Sequence, residues 1–226
     1  MLSTLFHRPL CIVLPAIAAV GFVCAGDLDA PAVLGRVQAW LTETHDLEAR
    51  FEQTLISGAF GAGVEESGRM FLERPGRMRW DYTDPEVKIA LLDGDRTWLY
   101  LAEEEQLWEG RLDEADSLLS MLMAGEEPLA SLFDASLVTT PESGRGTYRL
   151  RLSPRNAAES FEEVLLTLRA PRFALEEVEV LDPTGNRMRY RFSEIQRNRG
   201  LPPAAFRFEA PAGTEIVAAG GAEVDP

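Results

Sequence analysis

The sequence predicts a mostly β fold of the α+β class, with antiparallel strands curled into a barrel or half-barrel and three short helices over its mouth. Three observations predict it. Short β-type segments follow one another in hairpin order, divided by Gly, Asp, Asn and Pro. One of them, Asn186–Ser193, alternates without a break: Met188, Tyr190 and Phe192 face one way, Arg187, Arg189 and Arg191 the other. That pattern marks an antiparallel sheet covered on one face only. Helical spacing, finally, occurs in too few places to cover a flat sheet, so the strands are expected to curl and remove their edges.

The chain opens with a segment that reads as a secretory leader. Arg8 supplies a short basic region, Leu10 to Cys24 is an almost unbroken apolar run, and cleavage is expected after Ala25. The run is short for a membrane span, which needs roughly 20 apolar residues. Lipid attachment at Cys24 is disfavoured, because Gly21, Phe22 and Val23 stand where a Leu and small residues are wanted. The expected organisation is a leader over 1–25, a single domain over 26–217 and a loose tail over 218–226.

Ala32–Thr44 carries Val33, Leu34, Val37, Trp40 and Leu41 at helical spacing, with Asp29 or Pro31 at its start. Strands are expected over Leu47–Ser57, Gly68–Arg74, Arg77–Tyr82, Val87–Leu92, Arg96–Leu101 and Gln106–Gly110. Arg74-Pro75-Gly76 and Asp93-Gly94 are the hairpin turns among them, since Gly tolerates positive φ. Met78, Trp80 and Tyr82 fall on one face of their strand. Asp113–Gly125 predicts a second helix, capped by Asp113 and striped with Leu118, Leu119, Leu122 and Met123. Leu129, Leu132 and Phe133 form a short third helix. Strands resume over Ser136–Thr140, Thr147–Ser153, Phe161–Ala170, Phe173–Leu181, Asn186–Ile195 and Ala205–Glu209. Helices bearing Leu and Met stripes over a barrel mouth would enclose an apolar cavity, although periodicity does not distinguish a cavity from a filled core.

Composition excludes several functions. The formal net charge is −15, and loss of Arg8 with the leader makes it one unit more acidic. Such a balance argues against nucleic acid and anionic headgroups, which need clustered cations. Both cysteines, Cys11 and Cys24, lie in the leader, so the mature chain has no thiolate metal site, disulfide framework or cysteine nucleophile. His45 is the only histidine left, with no carboxylate pattern marking it as a general base. There is no Gly-x-Ser-x-Gly elbow, and the Gly58–Gly63 run lacks the Lys of a phosphate loop and reads as a hairpin tip. Asp93-Gly94-Asp95 opens like a calcium loop whose remaining ligands are missing. These absences favour a non-enzymatic carrier of an apolar ligand.

The run Gly68 to Tyr82, containing Arg74-Pro75-Gly76-Arg77-Met78-Arg79-Trp80, resembles the outer-membrane lipoprotein carrier family. So do Phe51-x-Gln53 before it, Pro85, Asp93-Gly94 and Trp98-x-Tyr100 after it, and Phe206-x-Phe208-x-x-Pro211-x-Gly213 near the end. The resemblance implies an incomplete antiparallel β-barrel of about eleven strands with the helices as a lid. It also implies a periplasmic monomer that needs no cofactor and holds lipoprotein acyl chains. Such a carrier takes lipoproteins from an inner-membrane ATP-driven release complex to an outer-membrane acceptor. Arg74 matches the arginine that holds the lid by hydrogen bonds to backbone, a task suited to five donors; the competing reading is a strand cap beside Pro75. Trp80, Tyr82, Leu118, Leu122, Met123, Leu132 and Phe133 are the candidate cavity-lining residues, with ordinary core packing the alternative for each. Met78 stands where many members carry an aromatic residue near the partner-contact loop, a departure that bears on docking. An outer-membrane acceptor or a carrier of another lipid is the neighbouring reading; an acceptor should be anchored through Cys24.

Overall fold

The computed structural model describes residues 28–61, 63–111, 127–139, 146–156 and 161–218. The expected leader and the helix expected over Asp113–Gly125, with Leu118, Leu122 and Met123, lie outside the described residues.

Helix α1 spans Ala30–Thr42, and the Asp29 side chain caps it by accepting from the Ala32 amide at 2.9 Å. The strands follow as β1 (Asp46–Ile56), β2 (Gly63–Glu73), β3 (Arg77–Asp84), β4 (Lys88–Asp93), β5 (Arg96–Leu101) and β6 (Gln106–Arg111). A one-turn helix α2 (Leu129–Leu132) leads into β7 (Phe133–Val138), β8 (Thr147–Pro154), β9 (Glu163–Arg169), β10 (Ala174–Leu181) and β11 (Arg187–Arg197). A 3-10 helix, Pro203–Phe206, precedes β12 (Glu215–Ala218).

Among the described residues the strands form one 12-stranded sheet in the order β12-β6-β5-β4-β3-β2-β1-β11-β10-β9-β8-β7. The order is linear, so the sheet is an open barrel whose free edges are β7 and β12. Its centre is β1, which pairs along its length with β2 and β11. Each pairing is antiparallel except β12 with β6. One face, here the inner face, carries the large apolar core. Leu47, Ala49 and Phe51 of β1, Met70 and Leu72 of β2, and Leu150, Leu152, Val164, Leu166, Leu168, Leu175 and Val178 of β8 to β10 pack there. Helix α1 lies across it and buries Val33, Leu34, Val37, Trp40 and Leu41, the stripe that helical spacing predicts.

The outer face is charged on one half and apolar on the other. Glu177 pairs across the ladder with Arg191, and Glu179 with Arg187 and Arg189, at 2.8–2.9 Å. Glu179 is only 3% exposed. Burial alone would raise its pKa, but the hydrogen bonds and charges of Arg189 and Arg187 outweigh that and hold it below the ordinary carboxylate value. On the other half Leu91, Tyr100 and Leu107 form a smaller outer core. Phe206 is buried there and the Phe208 ring lies 4.9 Å from that of Tyr100. The chain after β11 crosses this face, held where the Arg79 guanidinium donates to the carbonyls of Ala205 and Arg207 at 3.2 and 2.9 Å.

Four expectations are corrected. Ala205–Glu209 is no strand: Pro202 and Pro203 start a 3-10 turn, and Arg79 rather than a neighbouring strand takes its carbonyls. The closing strand is instead β12, whose parallel pairing with β6 has no hairpin signature in the sequence. Phe133 does not belong to the third helix; with φ −130° and ψ 146° it begins β7. β2 starts earlier than expected, at Gly63, because Gly63–Ser67 pairs opposite Glu52–Ile56 of β1.

Gly68 permits the closest approach in the sheet. A Cβ there would stand 1.9 Å from the carbonyl oxygen of Asp81. Since that atom is backbone within the β2–β3 ladder, no rotamer change relieves the clash. Gly68→Ala should therefore destabilise the fold by more than about 2 kcal/mol in urea unfolding. A variant as stable as the parent would show that the ladder yields at this point.

Candidate ligand cavity

The inner face gathers aromatic side chains that lie far apart in sequence. Phe51 of β1 meets Trp80 edge-on at 4.7 Å and Tyr82 at 4.9 Å. Trp80 leans on Tyr190 at 5.4 Å and on Phe192 at 6.4 Å. Trp80 and Tyr82, both expected to line a cavity, are thus brought together beside β1 and β11. Phe133 is 2% exposed and faces Phe161 at 6.1 Å, while Leu132 packs on the same core from α2. These two sit beneath α1, whose residue Gln38 accepts from the Leu129 amide at 2.8 Å.

Beneath α1 the described side chains pack closely. A crevice between Trp40, Leu47, Ala49, Met70, Phe192 and Ile195 holds about 10 Å³. That is about the space of one water probe. A larger apolar guest at this crevice would have to displace the stripe of α1. The rim of the helix is looser. Beside it lies a cleft of about 470 Å³, where the Arg197 guanidinium covers the Trp40 ring at 4.6 Å.

Arg74 follows β2 at the turn into β3, and its amide donates to the carbonyl of His45 at 2.8 Å. Two of its guanidinium nitrogens, Nε and Nη2, are shielded from solvent. Burial lowers its pKa from the ordinary arginine value. Met78 is 6% exposed with its side chain in the core, so a contact at this turn would run through the exposed Pro75 rather than the thioether. His45 is exposed beyond α1.

Residues that sequence reasoning did not place in the site include Phe51, Gln53, Glu66, Lys88, Tyr190 and Phe192. The Tyr82 hydroxyl donates to Gln53 Oε1 at 2.8 Å, and Gln53 Nε2 donates to Glu66 Oε2 at 3.3 Å. Lys88 pairs with Glu66 and lies 4.3 Å above the Tyr82 ring. The alternation of β11 had already placed Tyr190 and Phe192 on the dry face. What it lacked was the register that sets them against β1.

Burial, then the neighbouring Tyr190 and Glu66, raises the pKa of Tyr82. Burial and Glu66 push Tyr190 up to about 12. A phenol whose pKa is higher folded than unfolded stabilises the fold fully below about pH 10, and that contribution is lost as pH rises through the folded value. Absorbance at 295 nm should show a step near pH 12 that Tyr190→Phe removes. A Tyr190 step at about pH 10 instead would mean that its ring is hydrated.

A family model described as "Outer membrane lipoprotein carrier protein LolA" matches residues 42–209. The outer-membrane lipoprotein carrier protein of Methylococcus capsulatus is 30% identical over 182 residues, covering 80% of this chain and 85% of its own. That of Methylobacillus flagellatus is 31% identical over 183 residues, covering 80% and 86%. An uncharacterized conserved protein from Thermus thermophilus shares the fold, with a TM-score of 0.52 at 16% identity over 82% of this chain and 96% of its own.

Proposed function

The chain belongs to the outer membrane lipoprotein carrier family, and on that premise we propose that it binds lipoprotein acyl chains against its inner face and shuttles them from the inner to the outer membrane. The family is one of carriers rather than enzymes. One observation carries the reading: the family match spans residues 42–209, and the strands in it turn a large apolar core to one face, on which the amphipathic α1 packs. Acyl chains need such a surface and no chemistry. Their burial is non-directional and grows with apolar area.

In this reading the leader 1–25 is removed during export, 26–217 works as one carrier domain in the periplasm, and 218–226 is a tail. β12 runs through Ala218, one residue into that tail. Among the described residues no helix is long and apolar enough to cross a membrane. Cargo enters from an ATP-driven release complex in the inner membrane and leaves to an acceptor in the outer membrane. Trp80, Tyr82, Leu132 and Phe133 contact the chains once α1 lifts; Leu118, Leu122 and Met123 would add to them from the second helix. Arg74, set at the β2–β3 turn with its guanidinium shielded, holds the covering helices down. The turn beside Met78 is the docking edge.

Native mass spectrometry of the mature protein with a triacylated cysteinyl peptide should show a one-to-one complex that survives desalting. Failure to take up any acylated peptide would count against a carrier of lipid chains. Arg74→Leu should keep the circular dichroism spectrum of the parent while slowing transfer to acceptor-bearing vesicles by about tenfold, because a weakened lid shifts the closed–open balance. Normal transfer by that variant would assign Arg74 to strand capping alone.

A further inference from the structure

One row of polar side chains crosses the otherwise apolar inner face. Tyr190 of β11 stands opposite Gln53 of β1, and Gln53 opposite Glu66 of β2. Tyr82 of β3 stands opposite Lys88 of β4. Each shares strand parity with a residue of the inner core, as Tyr190 does with Phe192, Gln53 with Phe51, Tyr82 with Trp80 and Glu66 with Met70. On one side of the row lie the buried rings of Phe51 and Trp80; on the other, toward the β1–β2 hairpin tip, Leu55 and Val64 are exposed. The row is therefore a boundary between dry interior and wet rim.

Its composition is specific. Lys88 is the only lysine in the chain. It is spent on an inner face, paired with Glu66, with side chains 22% and 15% exposed. One of its three ammonium donors is taken by Glu66. The Tyr190 hydroxyl makes no hydrogen bond among the described residues. The row thus offers N–H and O–H donors while its formal charge is zero. A phosphate placed here would meet the Glu66 carboxylate. A neutral acceptor would not.

We propose that this row is the subsite for the ester and amide carbonyls at the neck of the cargo, Tyr190 and Lys88 donating to them while the chains run inward past Phe51 and Trp80. The assignment rests on the carrier reading and deepens it. The row fixes how far the chains enter, because each carbonyl that passed beyond it would lose its donor in an apolar surrounding. It also selects acylated neck chemistry over plain hydrocarbon. Burial without direction cannot make that choice.

The test compares three probes by fluorescence competition on the wild-type protein. The first is an S-(2,3-dipalmitoyloxypropyl) N-acetyl cysteinyl peptide, which has two long chains like the other probes. The second is its dialkyl ether counterpart, with the same chains and no ester carbonyls. The third, dipalmitoyl phosphatidylglycerol, keeps the esters and adds a phosphate. The ester peptide should bind about 3- to 10-fold tighter than the ether peptide. Tyr190→Phe should erase most of that preference. Lys88→Met should do the same, and Tyr190→Phe decides alone if loss of Lys88 disturbs folding by stranding Glu66. The phospholipid should bind more weakly than the ester peptide. Equal affinity for ester and ether probes overturns the subsite and leaves the carrier reading standing. A preference that survives Tyr190→Phe and Lys88→Met, or tighter binding of the phospholipid, overturns the assignment to a neutral neck. Binding of none of the probes removes both readings together.

Discussion

The packing of α1 on the inner face is the contact on which the rest of the structure depends. A 12-stranded open sheet with one apolar face must cover that face or aggregate through it. Helix α1 supplies five buried side chains, Val33, Leu34, Val37, Trp40 and Leu41. At about 2 kcal/mol for each, their burial contributes on the order of 10 kcal/mol, an upper estimate. An acyl chain of about 15 methylenes gains about 12 kcal/mol on leaving water, at about 0.8 kcal/mol per methylene. One chain thus matches the helix, and a cargo of three chains outweighs it, which is what lets cargo lift the cover.

Such an exchange needs a scaffold that does not collapse when the helix lifts, and the outer face supplies one. Glu179 and Glu177 tie β10 to β11 through Arg187, Arg189 and Arg191, and the arginines stay hydrated enough to keep the face soluble. At the other end of the sheet, Phe206 and Phe208 complete a second core over Tyr100, and Arg79 fastens the crossing segment. The strands β3 to β6 are thus held from outside, independently of whatever occupies the inner face. The sheet can stay rigid while its cover moves.

Much of this was legible in the sequence because side-chain period and turn chemistry are local. The one-sided alternation of Met188, Tyr190 and Phe192, the caps of α1, and the turns at Gly76 and Gly94 needed no tertiary information. The motif around Arg74 and Trp80 identified the family. Lost was whatever depends on register between distant strands. Gln53 and Glu66 read as ordinary polar strand residues until β1 and β2 are paired and Tyr82 is set against both. The parallel β12 was invisible for the same reason, since its partner lies about a hundred residues earlier in the chain. Phe133 was misplaced because an apolar residue after a short helical turn fits either period.

A surface that binds by burial alone cannot tell one long apolar chain from another, and a mobile helix cannot add that discrimination because it competes without direction. Discrimination requires directional groups at a fixed depth. The inner face has few places for them, since a polar side chain among Phe51, Trp80 and Phe192 must be satisfied by its neighbours or cost stability. Gln53 meets that condition by accepting from Tyr82 and donating to Glu66, and Glu66 by pairing with Lys88. The network is self-satisfied apart from donors at its two ends, Tyr190 and Lys88. It therefore tolerates an empty site and still has hydrogen bonds to offer a filled one. This arrangement lets non-directional apolar binding coexist with recognition of the neck that carries the chains.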